Sequence, residues 1–244
     1  MRAALTRRVF IAANPIWVLL PGFDGAGFLF APLVRALPPQ IKTEIISYAF
    51  DKAQDYQALR HEVERSLPHE PFILVAESYS GPLALQIANK GVENLKGVVL
   101  AASFIQNPFP WMKWWLKMPL FYRMLPARAP SWFVRRYLVG AHADKKLLHA
   151  VEAALHHLDK ATLISRLSSL TTLDARELLK KCPVPILCLQ PHEDQLLPAS
   201  VFQQIKLWRP DVHIAPLPGP HMVLQAMPEF AVKVILKFVR DLNT

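Results

Sequence analysis

Three stretches of this 244-residue chain carry residue types that could act together on a carbonyl group. The first is Ala76-Glu77-Ser78-Tyr79-Ser80, which follows the apolar run Phe72 to Val75 and leads into a helix-like stretch. A serine at the tip of a strand–helix turn needs small residues two before and two after it, because the turn brings those positions against neighbouring backbone. Ala76 and Ser80 supply them, and Gly81 gives further room. The spacing is that of the G-x-S-x-G nucleophile elbow with both glycines replaced by small residues. The helix that starts here also directs backbone N–H groups at the serine, which favours an anionic intermediate. Taken alone, the pentapeptide reads equally well as a nucleophile or as a serine capping a helix.

The second stretch, Pro191-His192-Glu193-Asp194, ends the apolar run Pro185 to Leu189, and the third, Gly219-Pro220-His221-Met222, follows the run His213 to Leu217. An isolated Asp in a turn is usually a turn former, and an isolated His among prolines is usually structural. Order changes the weighing. Serine, acid and histidine in that chain order are what an elbow serine requires. Asp194 and His221 are separated by one helix and one strand, so each falls in a loop after an adjacent strand, and such loops converge at one edge of a parallel sheet. Ser78 is then the nucleophile, His221 its base, and Asp194 the group that orients His221.

A fourth stretch could hold the developing negative charge. The run Ile16 to Leu20 ends in Pro21-Gly22-Phe23-Asp24-Gly25-Ala26-Gly27, whose glycines permit a tight turn and leave amides exposed. No Lys-Ser/Thr pair follows, which argues against a phosphate loop, and the spacing departs from the dinucleotide fingerprint. His192 is the weaker base candidate because it precedes the acid. Glu77 and Glu193 are expected to point away from the triad. His149, His156 and His157 have metal-like spacing but no close acidic partner, so they are not read as a metal site.

These residues need elements to position them. Ile16 to Leu20, Thr43 to Tyr48, Phe72 to Ala76, Leu95 to Ala101, Pro185 to Leu189 and His213 to Leu217 read as strands, apolar nearly throughout as strands covered on both faces should be. Tyr56 to Leu67, Ser80 to Asn89, Ala199 to Trp208 and Val223 to Leu242 read as amphipathic helices between and after them. The alternation predicts an α/β fold, a mostly parallel central sheet with helices on both faces. It breaks once, from about residue 104 to residue 173, where no strand signal appears but four of the six Trp do. We read 1–103 and 174–244 as the core and 104–173 as an inserted helical cap.

Composition sets the outer bounds. Hydrophobic residues at 52% and charged residues at 19% exclude intrinsic disorder. Mean hydropathy is +0.19, yet the uncharged run Val9 to Phe23 contains Pro15 and Pro21 and is shorter than the roughly 20 apolar residues of a membrane span. No small-residue cleavage site follows it, so it does not read as a signal peptide. Cys182 and Cys188 flank or lie in an extended run, about 20 Å apart at roughly 3.3 Å per residue, too far for a disulfide. A reducing, cytoplasmic setting is expected, without integral membrane association. The net charge of +9 is concentrated: residues 104–172 hold ten basic and three acidic residues, +7 of the total. This asymmetry points either to a solvated cationic face or to a local anionic partner, not to nucleic acid.

With these motifs in order, the chain resembles the α/β-hydrolase-fold serine esterases with a helical cap. Pro21-Gly22-Phe23 is similar to the family's oxyanion loop, Ala76 to Ser80 to its elbow, Pro191 to Asp194 to its acid turn, and Gly219 to His221 to its histidine turn. Pro21 replaces the family's His, Ala76 and Ser80 its elbow glycines, and Pro191 another Gly; no catalytic side chain is lost. The chain before β-strand Ile16 leaves little room for the two strands that usually come first. The resemblance implies a small-molecule ester substrate, Ser78, Asp194 and His221 as triad, the amides of Phe23 and Tyr79 as oxyanion donors, and neither metal nor other cofactor. In the cap, Trp111, Trp114, Trp115 and Met118 share a helical face, and with Met222 they are expected to line an acyl pocket, although the same stripe would serve to dock a helix on the core. The basic cap extends the resemblance to pimeloyl-[acyl-carrier protein] methyl ester esterases of biotin synthesis, whose partner is an acidic acyl-carrier protein. A ligand-binding protein of the same fold with little turnover, and an interfacial helix over Trp111 to Arg123, are the readings from other classes.

Overall fold

In the computed structural model, which describes residues 14–111, 114 and 129–242, the apolar runs form one sheet. Its strands are β1 (Ile16–Leu20), β2 (Thr43–Ile45), β3 (Phe72–Glu77), β4 (Leu95–Ala101), β5 (Ile186–Pro191) and β6 (His213–Leu217), in spatial order β2-β1-β3-β4-β5-β6. Every pairing is parallel. The two-residue period is plain in β1: Ile16, Val18 and Leu20 enter one core cluster, and Trp17 and Leu19 the other. Each such residue removed from water contributes on the order of 1.5–3 kcal/mol.

Helices cover both faces. On one side lie α2 (Tyr56–Glu64), α3 (Ser80–Ala88), α7 (Arg176–Lys181) and α8 (Ser200–Trp208), through residues such as Leu59, Leu83, Leu179 and Ile205. On the other lie α1 (Ala31–Ala36), α9 (Val223–Ala226) and α10 (Pro228–Asp241), through Leu33, Val223, Ile235 and Val239. Two expectations need correction. Val223 to Leu242 is two helices, because Met227 leaves helical geometry and Pro228, which has no N–H to donate, opens the second. The strand expected over Thr43 to Tyr48 stops at Ile45, because Tyr48 donates its N–H to the Gly25 carbonyl across the loop after β1.

Between β4 and β5 the chain leaves the sheet through a narrow neck. Gln106 pairs with Asp174 in an isolated antiparallel bridge, and Ala175 N–H donates to the Ile105 carbonyl at 2.7 Å. The described part of the insertion is α4 (Ser131–Phe133), a π turn (Val134–Val139), α5 (Lys145–His157) and α6 (Lys160–Thr171). Asp144 and Asp159 start α5 and α6 by accepting N–H bonds from Lys146 and Thr162. A third cluster, with Val134, Leu148 and Val151 from the insertion and Ala26, Leu29 and Met222 from the core, seats it on the loops after β1 and β6. Trp115, Met118 and most of Trp111 to Arg123 lie outside the described residues, as do the N-terminal thirteen. Among the described residues no helix is long and apolar enough to cross a membrane.

Candidate active site

The chain steps from β1 outward to β2 and then back past β1 to β3, so the loops after β1 and β3 diverge at the carboxyl edge of the sheet. That switch point is where α/β sheets open a crevice. Ser78 occupies it. Its φ of 46° is left-handed, a conformation that costs a non-glycine residue on the order of 1–2 kcal/mol. The surroundings hold it there: Ser78 N–H donates to the Ala101 carbonyl at 2.9 Å, and the Ser78 carbonyl accepts from Ser103 Oγ at 2.6 Å. Gly81 admits that contact, since a Cβ at Gly81 would lie 1.9 Å from Ser103 Oγ. Ser80, where a glycine would leave only space, donates its hydroxyl to the Pro21 carbonyl and pairs with Tyr48 Oη at 2.6 Å.

The three side chains singled out by order lie together. His221 Nε2 is 2.9 Å from Ser78 Oγ, and His221 Nδ1 is 2.8 Å from Asp194 Oδ2. The other oxygen of Asp194 accepts N–H bonds from Leu196 at 2.8 Å and Leu197 at 2.9 Å, which fix the carboxylate for the imidazole. Backbone bonds tie the acid and histidine turns together, with His192 N–H on the Leu217 carbonyl and Glu193 N–H on the Gly219 carbonyl. His192 itself is exposed. Neither the Phe23 nor the Tyr79 amide donates to a described residue. Their rings meet edge to face at 5.7 Å, and Tyr79 stacks on Tyr56 at 4.6 Å.

Four buried polar residues here were given no role from the sequence: Asp24, Glu77, Arg166 and Gln225. Glu77, expected to point elsewhere, lines the same cavity as Ser78 and accepts from Gln225 Nε2 at 3.0 Å. Burial, reinforced by the nearby negative charge of Asp24, pushes its carboxyl up to about 8. Burial also raises the carboxyl of Asp24, against the Ala26 N–H that it accepts at 2.7 Å. Glu77 and Gln225 are legible in hindsight as polar residues inside apolar or Pro-bounded segments; Arg166 looked like one more surface cation.

The cavity above Ser78 holds about 430 Å³. Phe23, Tyr79, His221 and Met222 line its floor, and Phe133, Leu138, Leu155 and Leu163 are among the apolar residues of its walls. Trp111 and Trp114 are 61% and 77% exposed and are not among its lining residues, which corrects their expected role. The described wall on the cap side comes from α4, the π turn, α5 and α6, and not from Trp111 or Trp114. Trp115 lies outside the described residues. Cys182 and Cys188 are buried free thiols. Among the described residues no group of three His, Cys, Asp or Glu side chains could hold a metal ion.

Compared with known proteins, residues 3–234 match the alpha/beta hydrolase family. No curated protein sequence matches the chain. Among solved structures, a hydrolase from Oleispira antarctica is similar at a TM-score of 0.78 and 12% identity, over 93% of this chain and 91% of that one. A lipase-esterase related protein from Clostridium acetobutylicum is similar at 0.74 and 15% identity, over 93% and 95%. MenH from S. aureus is similar at 0.71 and 14% identity, over 96% and 97%. At these identities the likeness is one of fold.

Proposed function

The chain belongs to the alpha/beta hydrolase family, and from that premise we propose that it is a serine hydrolase cleaving carboxylic esters of short-to-medium apolar acyl chains. The observation that carries this reading is the chain of contacts from Ser78 Oγ through His221 to Asp194, at 2.9 and 2.8 Å, beneath an apolar cavity. His221 Nε2 takes the Ser78 proton as the oxygen attacks the ester carbonyl, and Asp194 stabilises the imidazolium that results. The amides of Phe23 and Tyr79 face the oxyanion, each worth on the order of 3 kcal/mol in such a role. His221 then gives its proton to the departing alcohol, leaving the acyl group on Ser78. Water, deprotonated by His221, attacks the acyl-enzyme, the carboxylic acid leaves, and the proton returns to Ser78.

The cavity's walls favour hydrocarbon, since the polar groups that line it cluster at the Ser78 end. A series of p-nitrophenyl esters of increasing chain length, with wild type and Ser78→Ala, tests the reading. Turnover in the variant should fall by at least about 10³-fold. Undiminished hydrolysis by Ser78→Ala would reject the nucleophile, and inertness of both proteins would favour a ligand-binding role.

A second reading is favoured by one observation, the cationic cap: Arg136, Lys145 and Lys146 are exposed there. It is that the acyl group arrives on an acidic acyl-carrier protein, as in pimeloyl-carrier methyl ester hydrolysis. In that case the surface supplies the encounter and the same three residues the chemistry.

A further inference from the structure

One cap helix touches both residues whose amides face the Ser78 oxygen. On α6, the fully buried Arg166 donates from Nη1 to the Phe23 carbonyl at 2.6 Å and from Nη2 to the Ala49 carbonyl at 2.9 Å. Three residues on, Ser169 Oγ bonds the Arg166 carbonyl at 2.7 Å and the Tyr79 hydroxyl at 2.8 Å. The loop after β1 passes directly under the guanidinium: at Gly25, whose φ is +76°, a Cβ would come within 2.9 Å of both terminal nitrogens. The guanidinium carbon also lies 5.7 Å from the ring centroid of Tyr48, whose hydroxyl pairs with Ser80.

We propose that α6 braces the oxyanion hole, Arg166 and Ser169 being positioning residues that fix the Phe23 and Tyr79 amides, so that the hole is competent only while the cap is seated. This rests on reading the protein as a serine ester hydrolase. Two physical arguments carry it. Oxyanion donors must be held to within about 0.5 Å, and a loop with three glycines in six residues, Gly22 to Gly27, does not hold a peptide plane that tightly by itself. The second argument is energetic. Arg166 has no carboxylate within ion-pair distance among the described residues, and its Nε is buried without a partner. A buried charge of this kind is expensive, and hydrocarbon of similar volume is often neutral or stabilising in its place. Folding alone does not call for an arginine here; holding the Phe23 and Ala49 carbonyls does.

The test compares wild type with Arg166→Met, Arg166→Lys and Ser169→Ala. It reads kcat and KM on the preferred p-nitrophenyl ester, Ki for the trifluoromethyl ketone of the same chain, and the melting temperature. The ketone adds to the serine as a hemiketal whose oxygen sits where the oxyanion would, so its Ki follows the hole. For Arg166→Met, kcat should fall about 10–100-fold with KM within about threefold, and the ketone Ki should rise in step with the loss in kcat/KM. Arg166→Lys should recover part of that loss, and Ser169→Ala should lose several-fold in kcat. A folded Arg166→Met with unchanged kcat and Ki overturns the brace, as does a loss confined to KM. Should Arg166→Met not fold, unchanged kcat and Ki in both Arg166→Lys and Ser169→Ala overturn it equally. If wild type itself neither hydrolyses esters nor is labelled at Ser78 by a fluorophosphonate, the hydrolase reading falls and the brace with it. Active wild type beside unaffected variants removes the brace alone.

Discussion

At Ser78 the strained backbone and at Glu77 the buried carboxyl are adjacent expenditures of folding energy at one turn. The second has a measurable pH signature. With its carboxyl pushed from 4.5 to about 8, native Glu77 keeps a proton that the unfolded chain releases. Its effect on stability is nil below pH 4.5. Stability then falls as pH rises, and the loss is complete above about 8. Glu77→Gln should therefore raise the melting temperature at about pH 9 and change it little at about pH 4.5, as thermal unfolding at the two pH values would read. Equal shifts at both would contradict the assignment. Under the proposed ester hydrolysis, the same ionisation would put negative charge in the cavity where the oxyanion forms, so kcat of the wild type should decline above about pH 8 and that of Glu77→Gln should not. An alkaline decline preserved in the variant would assign that limb to another group.

Among elements, the joint between β3 and α3 is closely packed at Gly81. Adding one methyl at Gly81 drives it into Ser103 Oγ, and Gly81→Ala should cost at least about 1–3 kcal/mol. Denaturant unfolding would show it, and Ser103→Gly in the same chain should return most of the loss. In the cap, Leu155 on α5 and Leu163 on α6 wall the cavity. Leu155→Trp should move the preferred ester to shorter chains, and an unmoved chain-length profile would mean that the acyl group lies elsewhere. The sheet was legible in the sequence because its strands are short, apolar and β-branched, and Ser78, Asp194 and His221 stood out because each follows such a strand. The break at Pro228 was written in the chain as a helix-opening proline, yet the apolar period on either side hid it. Asp24 and Arg166 stayed hidden for another reason. What makes a charged residue interior is the packing of distant segments above it, and a local pattern carries no trace of that. Trp111 and Trp114 misled because a shared helical spacing does not say whether a residue meets a cavity or water.

Across the whole molecule, the charge asymmetry is real but smaller at the surface than composition suggests. Of the ten basic residues in 104–172, Arg166 is interior and turned to the loop after β1. Arg136 is exposed, and Arg135 is partly so while holding the Ala141 carbonyl. Reversing both to Glu should weaken turnover of a carrier-bound ester about 10-fold or more, through encounter, and spare a small free ester. Equal loss on the two substrates, compared by kcat/KM at low and high salt, would count against a carrier. The neck at Gln106 and Asp174 has a consequence of another kind. With the two crossing points already joined, everything between them is, for the sheet, a closed loop whose cost grows only logarithmically with length. A lineage can therefore graft a longer, shorter or wholly different roof there without rewriting a strand. Under the brace proposed for α6, however, each new roof must bring its own pair of hooks for the loops beneath, so a change of substrate shape arrives together with a retuning of the reaction centre.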